Sequence, residues 1–407
     1  MNLVKPKVAV LGQGYVGLPL SIAAQTMGWQ VIGIDINESR VVQLKEGLSY
    51  IEDVSDDELQ LALKNGFSPS DDLHELRDCE IVVVCVPTPL SGDGTPDLAS
   101  LKAAAEAIAK YASPNTLIIS ESTSFPGTLR SFIPSVIKNL NSNSKFLYSV
   151  APERVDPGNS KWSYRNTPRL VSGLTQEATI KTLSFYSTFC DEVIVVSSPE
   201  VAEFSKLLEN SFRQVNIALI NELVPLAKSL NLDIFEVIQA ADSKPYGFMK
   251  FLPGVGVGGH CIPVDPMYLS WTAKQKGEMT SLIDTAQRVN DHMPLYVANL
   301  VEKRALNSKS EILVIGLSYK AGVADLRESA SIKLIEHLRS QFENVNWWDE
   351  VVEIWNNQLP VDLNIKFNVV VITQIVSKPE ILEVISKADQ VIDCTGHYKK
   401  LPNVEVF

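Results

Sequence analysis

Val8-Ala9-Val10-Leu11-Gly12-Gln13-Gly14-Tyr15-Val16-Gly17 is the stretch that decides the fold. Its first half is a short apolar run suited to a buried strand, and Gly12 to Gly17 fits G-x-G-x-x-G. A helix-like segment, Val16 to Met27, follows, and Gln30 to Asp35 rises as a second strand. Strand, glycine turn, helix and strand in that order open a parallel α/β sheet. In such a unit the first glycine permits the tight turn and the second lets a pyrophosphate approach the backbone. The third lets helix pack on strand, with the phosphates at the helix N-terminus. Asp35 ends the next strand, 18 residues after Gly17, where an acid holds ribose hydroxyls and repels a 2′-phosphate. The expected cofactor is therefore NAD and not NADP.

Working outward, further strands are predicted at Ile81–Val86, Thr116–Ser120, Phe146–Val150, Arg169–Ser172 and Glu192–Val196, with helices such as Ser100–Tyr111 between them. Pro87-Thr88-Pro89 follows one of these strands, at the carboxyl edge where open sheets bind ligands. From Pro199 the texture changes to a long helical stretch, Val201–Leu230, interrupted only by Pro225. A glycine-rich region, Pro253–Gly259, breaks the helical pattern before Thr280–Leu300 resumes it. A second strand-and-turn series then begins at Glu311–Gly316 and continues through Ser331–Ser340 as helix and Asn344–Asp349, Val369–Thr373 and Gln390–Cys394 as strands. The fold class expected is α/β: two Rossmann-like doubly wound domains joined by a central helical domain with a long helix. The boundaries read are 1–200, 201–305 and 306–407.

The 407 residues exceed what one core usually holds. A net charge of −12 gives no broad electrostatic footprint for a nucleic-acid backbone. No apolar run approaches the ~20 residues that span a bilayer. Lys5 and Lys7 before an apolar stretch imitate a secretory signal, but Gly12, Gly14 and Gly17 interrupt it. Five scattered cysteines, an odd number without a C-x-x-C pair, argue against a disulfide framework or structural zinc and fit a reducing compartment, the cytoplasm. Cys79, Cys85, Cys190 and Cys394 sit in or beside apolar stretches and read as inert buried thiols.

Cys261 is different. It lies in Gly258-Gly259-His260-Cys261-Ile262-Pro263-Val264-Asp265, a thiol four residues from a carboxylate in a backbone kept bare by glycine. A nucleophilic thiol needs a lowered pKa, which loop amides, an ammonium or a helix N-terminus can supply. Asp265 alone would raise it, so its role is to orient water or a lysine. Lys206 and Asn210 stand at i and i+4 and share a helix face. With Phe204, Leu207 and Leu208 around them, a solvated surface and a built site remain alternatives on sequence alone. His260 is read as a shape or substrate residue, because neighbours in an extended segment point apart. No cysteine–histidine metal site has workable spacing, so no metal is expected.

With these blocks on the page, the chain resembles the UDP-glucose/GDP-mannose dehydrogenase family over nearly all its length. The resemblance rests on seven blocks in the family's order: Gly12–Gly17, Val86–Pro89, Ser122-Thr123, Ala151-Pro152-Glu153-Arg154, Glu203–Lys206 with Asn210, Gly258–Asp265, and Ser318-Tyr319-Lys320 through Asp325–Ser329. It implies oxidation of the C6 alcohol of a UDP-linked sugar to a carboxylate with two NAD, through a thiohemiacetal and a thioester on Cys261. By the same implication Lys206 and Asn210 stabilise the oxyanion, and Glu153, Thr123 and Asp265 position or activate water, Glu153 being the hydrolytic base. The implied cofactor contacts are Gly12, Gly14, Tyr15, Val16, Gly17, Asp35, Arg40, Pro87, Thr88, Ser122, Thr123 and Arg327. The implied substrate contacts are Glu153, Arg154, Lys206, Asn210, Gly256, Gly258, His260 and Lys320. A homodimer or higher homo-oligomer is also implied.

Two departures bear on the sugar. Where the UDP-glucose branch usually has a lysine before the motif aspartate this chain has Val264, and where that branch has a second acid four residues after Glu153 it has Pro157. Both resemble the branch acting on UDP-N-acetylhexosamines, as do Glu153–Asn159, Asn166–Val171 and Lys244–Met249, which look most like UDP-N-acetylglucosamine 6-dehydrogenases of surface-polysaccharide pathways. Enzymes acting on UDP-glucose and on the N-acetylmannosamine and N-acetylgalactosamine nucleotides are the competing readings. A hydroxyacid-type dehydrogenase making one hydride transfer, and a non-catalytic nucleotide-sugar binding protein, are the rivals from other classes.

Overall fold

The computed structural model describes residues 6–156, 159, 161–376, 378–399 and 401–407. Lys5, Pro157 and Gly158, which entered the sequence reading, lie outside the described residues. The first sheet has eight strands: β1 (Lys7–Leu11), β2 (Gln30–Ile34), β3 (Phe67–Ser70), β4 (Ile81–Val84), β5 (Leu117–Ser120), β6 (Leu147–Val150), β7 (Arg169–Gly173) and β8 (Val193–Val195). Their order is β3-β2-β1-β4-β5-β6-β7-β8, so the chain reverses direction of travel between β1 and β4. That reversal opens the crevice in which doubly wound sheets bind ligands. The first six strands pair in parallel, whereas β7 runs antiparallel to β6 and carries β8 with it.

Alternate residues of these strands enter different cores, which is why the runs read as continuously apolar. Val8, Val10, Val31, Val83 and Ile119 pack on one face. Ala9, Leu11, Ile32, Val82 and Ile118 pack on the other. A parallel sheet covered on both faces requires this composition.

The second sheet comprises β9 (Glu311–Ile315), β10 (Asn344–Trp348), β11 (Val369–Ile372), β12 (Gln390–Asp393) and β13 (Val404–Val406), all parallel, in the order β10-β9-β11-β12-β13. It too is doubly wound, with Ile312 and Val314 facing one core and Leu313 and Ile315 the other. The two sheets repeat one construction. Gly12 donates to the Ile34 carbonyl and Gly316 to the Trp348 carbonyl. Asp35 and Asp349, each one residue beyond the neighbouring strand, accept from the backbone of the respective glycine turn.

The long helix extends over Pro199–Ser229 and continues through Pro225. Further helices span Asp265–Gln275 and Ser281–Glu302. By internal contacts the chain divides into two compact units, one running through Glu209 and including Trp271–Gly277, the other made of Asn210–Ser270 and Glu278–Phe407. No described helix is long and apolar enough to cross a membrane.

Candidate active site

In the first unit each fingerprint glycine meets a different constraint. Gly12 has φ +89°, and a Cβ there would lie 2.5 Å from the Cys85 carbonyl oxygen. A Cβ on Gly17 would fall 1.8 Å from the Gly12 oxygen, so this glycine sets how closely the helix Gly17–Thr26 packs. Above Gly14 a Cβ would meet nothing within 4 Å, which suits a backbone approached by a pyrophosphate. The buried Asp35 accepts from the Gln13 amide at 2.9 Å and from Asn37 at 2.9 Å, with Arg40 3.6 Å away. Tyr50 donates to the Gln13 carbonyl and lies under the Arg40 guanidinium, 5.5 Å from ring centre to carbon. Burial pushes the Tyr50 hydroxyl well above its ordinary pKa, so it remains a donor. These groups fit NAD: an open amide face for the pyrophosphate and an acid for the ribose.

Beyond β4 and β5, Thr88 and Ser122 are buried and Pro87 is exposed. The Ser122 hydroxyl donates to the Val86 carbonyl at 2.8 Å, tying the two strand ends together. Partly exposed Thr123 lies in the loop that follows. The far end of that loop is fastened by Glu203, which accepts from Gly127 at 2.6 Å and Leu129 at 3.0 Å. Burial pushes the Glu203 carboxyl up to about 7. Beneath lies a buried pair, Arg169 and Glu121 at 3.4 Å, with Tyr164 donating to the carboxylate at 2.5 Å and Tyr186 also donating. Arg169 also donates to the Pro152 carbonyl at 3.1 Å, and the Glu153 amide to the Glu121 carbonyl at 3.4 Å. The strand end that bears Glu153 is thereby held from below.

Around Lys206 the long helix buries polar side chains beside exposed apolar ones. Lys206 and Asn210 are 6 % and 6 % exposed, whereas Phe204 and Leu208 on the same turns are 49 % and 55 % exposed. A solvated helix surface would show the reverse, so neither the lysine nor the asparagine is an ordinary solvated side chain. In the first unit Lys206 lies 3.4 Å from the buried Glu153, whose other oxygen accepts from the Val155 amide. Arg154 is clamped by Glu209 at 2.8 Å and by the Pro168 carbonyl at 2.7 Å.

In the second unit Asn210 donates to Asp265 at 2.6 Å. Asp265 is buried at the N-terminus of the helix Asp265–Gln275, where a carboxylate is favoured, and its amide donates to the Cys261 carbonyl at 2.8 Å. The cysteine segment is a bend running into turns, not the extended stretch assumed for His260, because Val264 and Asp265 both donate back to Cys261. Gly256 packs with φ +139° against the Asn290 carbonyl and Ala330. Gly258 and partly exposed His260 follow it towards the thiol. Cys261 is partly exposed, whereas burial raises Cys79 and Cys190 to about 11 and raises Cys85 and Cys394 as well. By residue exposure Cys85 falls in the same partly exposed class as Cys261, while Cys79, Cys190 and Cys394 are buried. No disulfide joins the five.

Lys320 is partly exposed on the segment after β9. Arg327, half exposed, is held bidentately by Asp325, the shorter contact being 2.6 Å. Sequence reasoning passed over Glu121, Tyr50, Tyr319 and the capping role of Glu203. Glu203 and Tyr319 carried one signal, their places in quoted blocks, whereas Glu121 and Tyr50 act through partners far along the chain.

Three family models tile the chain: the NAD binding domain of the UDP-glucose/GDP-mannose dehydrogenase family over residues 6–190, its central domain over 200–292 and its UDP binding domain over 313–405. The chain is 35% identical to a UDP-N-acetyl-D-mannosamine dehydrogenase of Pyrococcus horikoshii, over 85% of this chain and 84% of that protein. It is also 35% identical to a UDP-N-acetyl-D-glucosamine 6-dehydrogenase of Pseudomonas aeruginosa, over 84% and 82%. A solved structure of the Pyrococcus horikoshii UDP-D-ManNAc dehydrogenase superposes with a TM-score of 0.89 at 30% identity, covering 98% of each chain. The chain is thus an NAD-dependent oxidoreductase and belongs to the UDP-glucose/GDP-mannose dehydrogenase family.

Proposed function

We propose that this protein oxidises the C6 hydroxyl of a UDP-N-acetylhexosamine, UDP-N-acetylglucosamine before its mannosamine epimer, to the uronic acid for surface-polysaccharide synthesis in the cytoplasm. The observation that carries the reading is the burial of Lys206 and Asn210 on a helix where the neighbouring Phe204 and Leu208 are exposed. Bound NAD accepts a hydride in each of two oxidations. The alcohol loses a hydride and a proton to become an aldehyde, and the Cys261 sulfur adds to that carbon while the carbonyl oxygen gains a proton. Loss of a second hydride and proton leaves a thioester, and water splits it to the acid and the restored thiol. Per sugar, two NAD and one water are consumed. Lys206 and Asn210 donate to the oxygen that becomes negative at each addition, pre-aligned by Glu153 and Asp265. Glu153 takes the proton of the hydrolytic water, with Thr123 and Asp265 orienting it.

In this reading residues 1–200 bind NAD, 201–305 carry the thiol and the dimer face, and 306–407 bind the UDP moiety through Lys320, with Arg327 reaching the cofactor. The exposed Phe204, Leu208, Phe212, Leu219, Leu223 and Leu226 line the long helix, and burying them against a second copy makes a homodimer. A turnover panel of UDP-glucose, UDP-N-acetylglucosamine and its two epimers with NAD tests the substrate. Two NADH per sugar are expected. One NADH per sugar, or no turnover on any of the four, overturns the reading in favour of single-hydride chemistry or mere binding. Cys261→Ala is expected to abolish acid formation while binding UDP-sugar with wild-type affinity.

A further inference from the structure

We infer that Tyr319 is a positioning residue for the Cys261 thiol: its ring is the platform on which the bare backbone of Gly258 and Gly259 rests. A Cβ built on Gly259, where φ is +83°, would lie 2.8 Å from Cδ2 and Cε2 of that ring. One built on Gly258 would lie 2.9 Å from the Tyr319 Cβ and 3.0 Å from the Glu328 carbonyl oxygen. The Gly259 amide donates to the Arg327 carbonyl at 3.1 Å, which holds the strip against the ring. Two residues later the Cys261 carbonyl is fixed by the Asp265 amide at 2.8 Å. The thiol therefore hangs on a short span between two anchors, the ring and the first turn of the helix Asp265–Gln275.

The platform is itself braced. Tyr319 follows the turn after β9, whose Leu317 and Ser318 amides donate to Asp349 Oδ2 at 2.6 and 2.9 Å. The Ser318 hydroxyl reaches the same oxygen at 3.2 Å, and the Gln374 side chain donates to the Ser318 carbonyl. The Tyr319 amide donates to Asp325 at 3.0 Å, and the Ser329 hydroxyl to Leu317 at 2.7 Å. In the first unit the matching turn presents its amide face to a cofactor. Here the turn is followed by a loop, residues 318–329, before the helix Ala330–Arg339, and the loop supports the cysteine strip instead.

The inference rests on the proposed nucleophilic role of Cys261, and the experiment separates the two. In the full-length protein, Tyr319→Ala, Tyr319→Phe and Cys261→Ala are compared for kcat, for KM of the UDP-sugar and for the rate of Cys261 alkylation by iodoacetamide from pH 6 to 9, mapped by mass spectrometry. Misplacing a nucleophile by about 1 Å costs on the order of 100-fold in rate. Tyr319→Ala is expected to lose about that factor in kcat with KM within about 3-fold, and to alter the alkylation profile. Tyr319→Phe, which keeps the ring, restores both. Wild-type kcat in Tyr319→Ala, or a loss of kcat with an unchanged alkylation profile, overturns the positioning role. Acid formation by Cys261→Ala instead overturns the nucleophile. If Tyr319→Ala does not fold, Tyr319→Leu, which lacks the flat face, replaces it under the same expectations.

Discussion

Glu203→Gln separates the charge of a buried carboxyl from its shape. Glu203 is 3 % exposed, and burial lifts its pKa from the ordinary carboxylate value to about 7 against the opposing pull of the Leu129 and Gly127 amides. Below pH ~4.5 both folded and unfolded chains carry the proton, and the group has no effect on stability. Between there and pH ~7 the unfolded chain ionises while the folded one stays protonated, so stability falls as pH rises. With about 1.4 kcal/mol per unit, the loss is complete above pH ~7 and amounts to roughly 3 kcal/mol. Glutamine does not titrate, but it offers one acceptor where Gly127 and Leu129 use different carboxylate oxygens. Its cost of about 1–3 kcal/mol for an unmet amide is independent of pH. The gap between wild type and variant should therefore change by roughly 3 kcal/mol in the variant's favour from pH 4.5 to pH 8. Urea midpoints followed by tryptophan fluorescence, with Trp29 and Trp271 in the same unit, measure it. Parallel midpoint curves for the two proteins would refute the argument.

Asp35→Ala removes an acceptor that holds the Gln13 amide and is expected to raise the Kd for NAD about 10- to 100-fold, leaving UDP-sugar affinity unchanged by calorimetry. Lys206→Ala removes a pre-aligned donor, so kcat should drop roughly 100- to 1,000-fold in single-turnover NADH formation. Glu121→Ala leaves Arg169 buried without its carboxylate and should cost about 3–5 kcal/mol by urea unfolding, with Glu121→Gln retaining part of this through the tyrosine hydroxyls.

The elements legible in the sequence are those whose physics is local. The runs Val8–Leu11, Ile81–Val84 and Val369–Ile372 are apolar on both faces because both faces are covered, and each stands within two residues of its expected bounds. Strand β3 escaped because Phe67-Ser68-Pro69-Ser70 has no strand pattern: it is an edge strand, where proline costs no ladder bond. The antiparallel turn-back of β7 is likewise invisible, since chain direction is fixed by connection and not by composition. At the site, spacing placed Lys206 and Asn210 on one helix face but could not say whether that face looked inward. The exposed Phe204 and Leu208 resolve it. Glu121 was silent, and Tyr319 was quoted only as part of a block, because an acid beneath a strand end and a tyrosine under a glycine strip acquire their roles only from partners brought in by the fold.

The paired aspartates show why the acid beside one glycine turn keeps acceptor capacity for a ribose and the acid beside its counterpart does not. Asp35 takes one amide from the turn on Oδ2 and one on Oδ1 from Asn37, and it keeps lone pairs for two ribose hydroxyls. Asp349 takes three donors from Leu317 and Ser318 on Oδ2 and two more, from Val351 and Val352, on Oδ1. With about four lone-pair sites on a carboxylate, five donors leave it nothing to offer a sugar. The same acid at the same place in the same topology thus keeps open acceptor capacity in one unit and is a fastener in the other. What differs is the chain after the glycine, which enters a helix at once at Gly17 and only at Ala330, past a loop, in the second unit. A helix that starts on the turn leaves its amides to a pyrophosphate. A loop that starts on the turn spends them on its own aspartate and, through Tyr319 and the Arg327 carbonyl, packs against the glycine strip before Cys261.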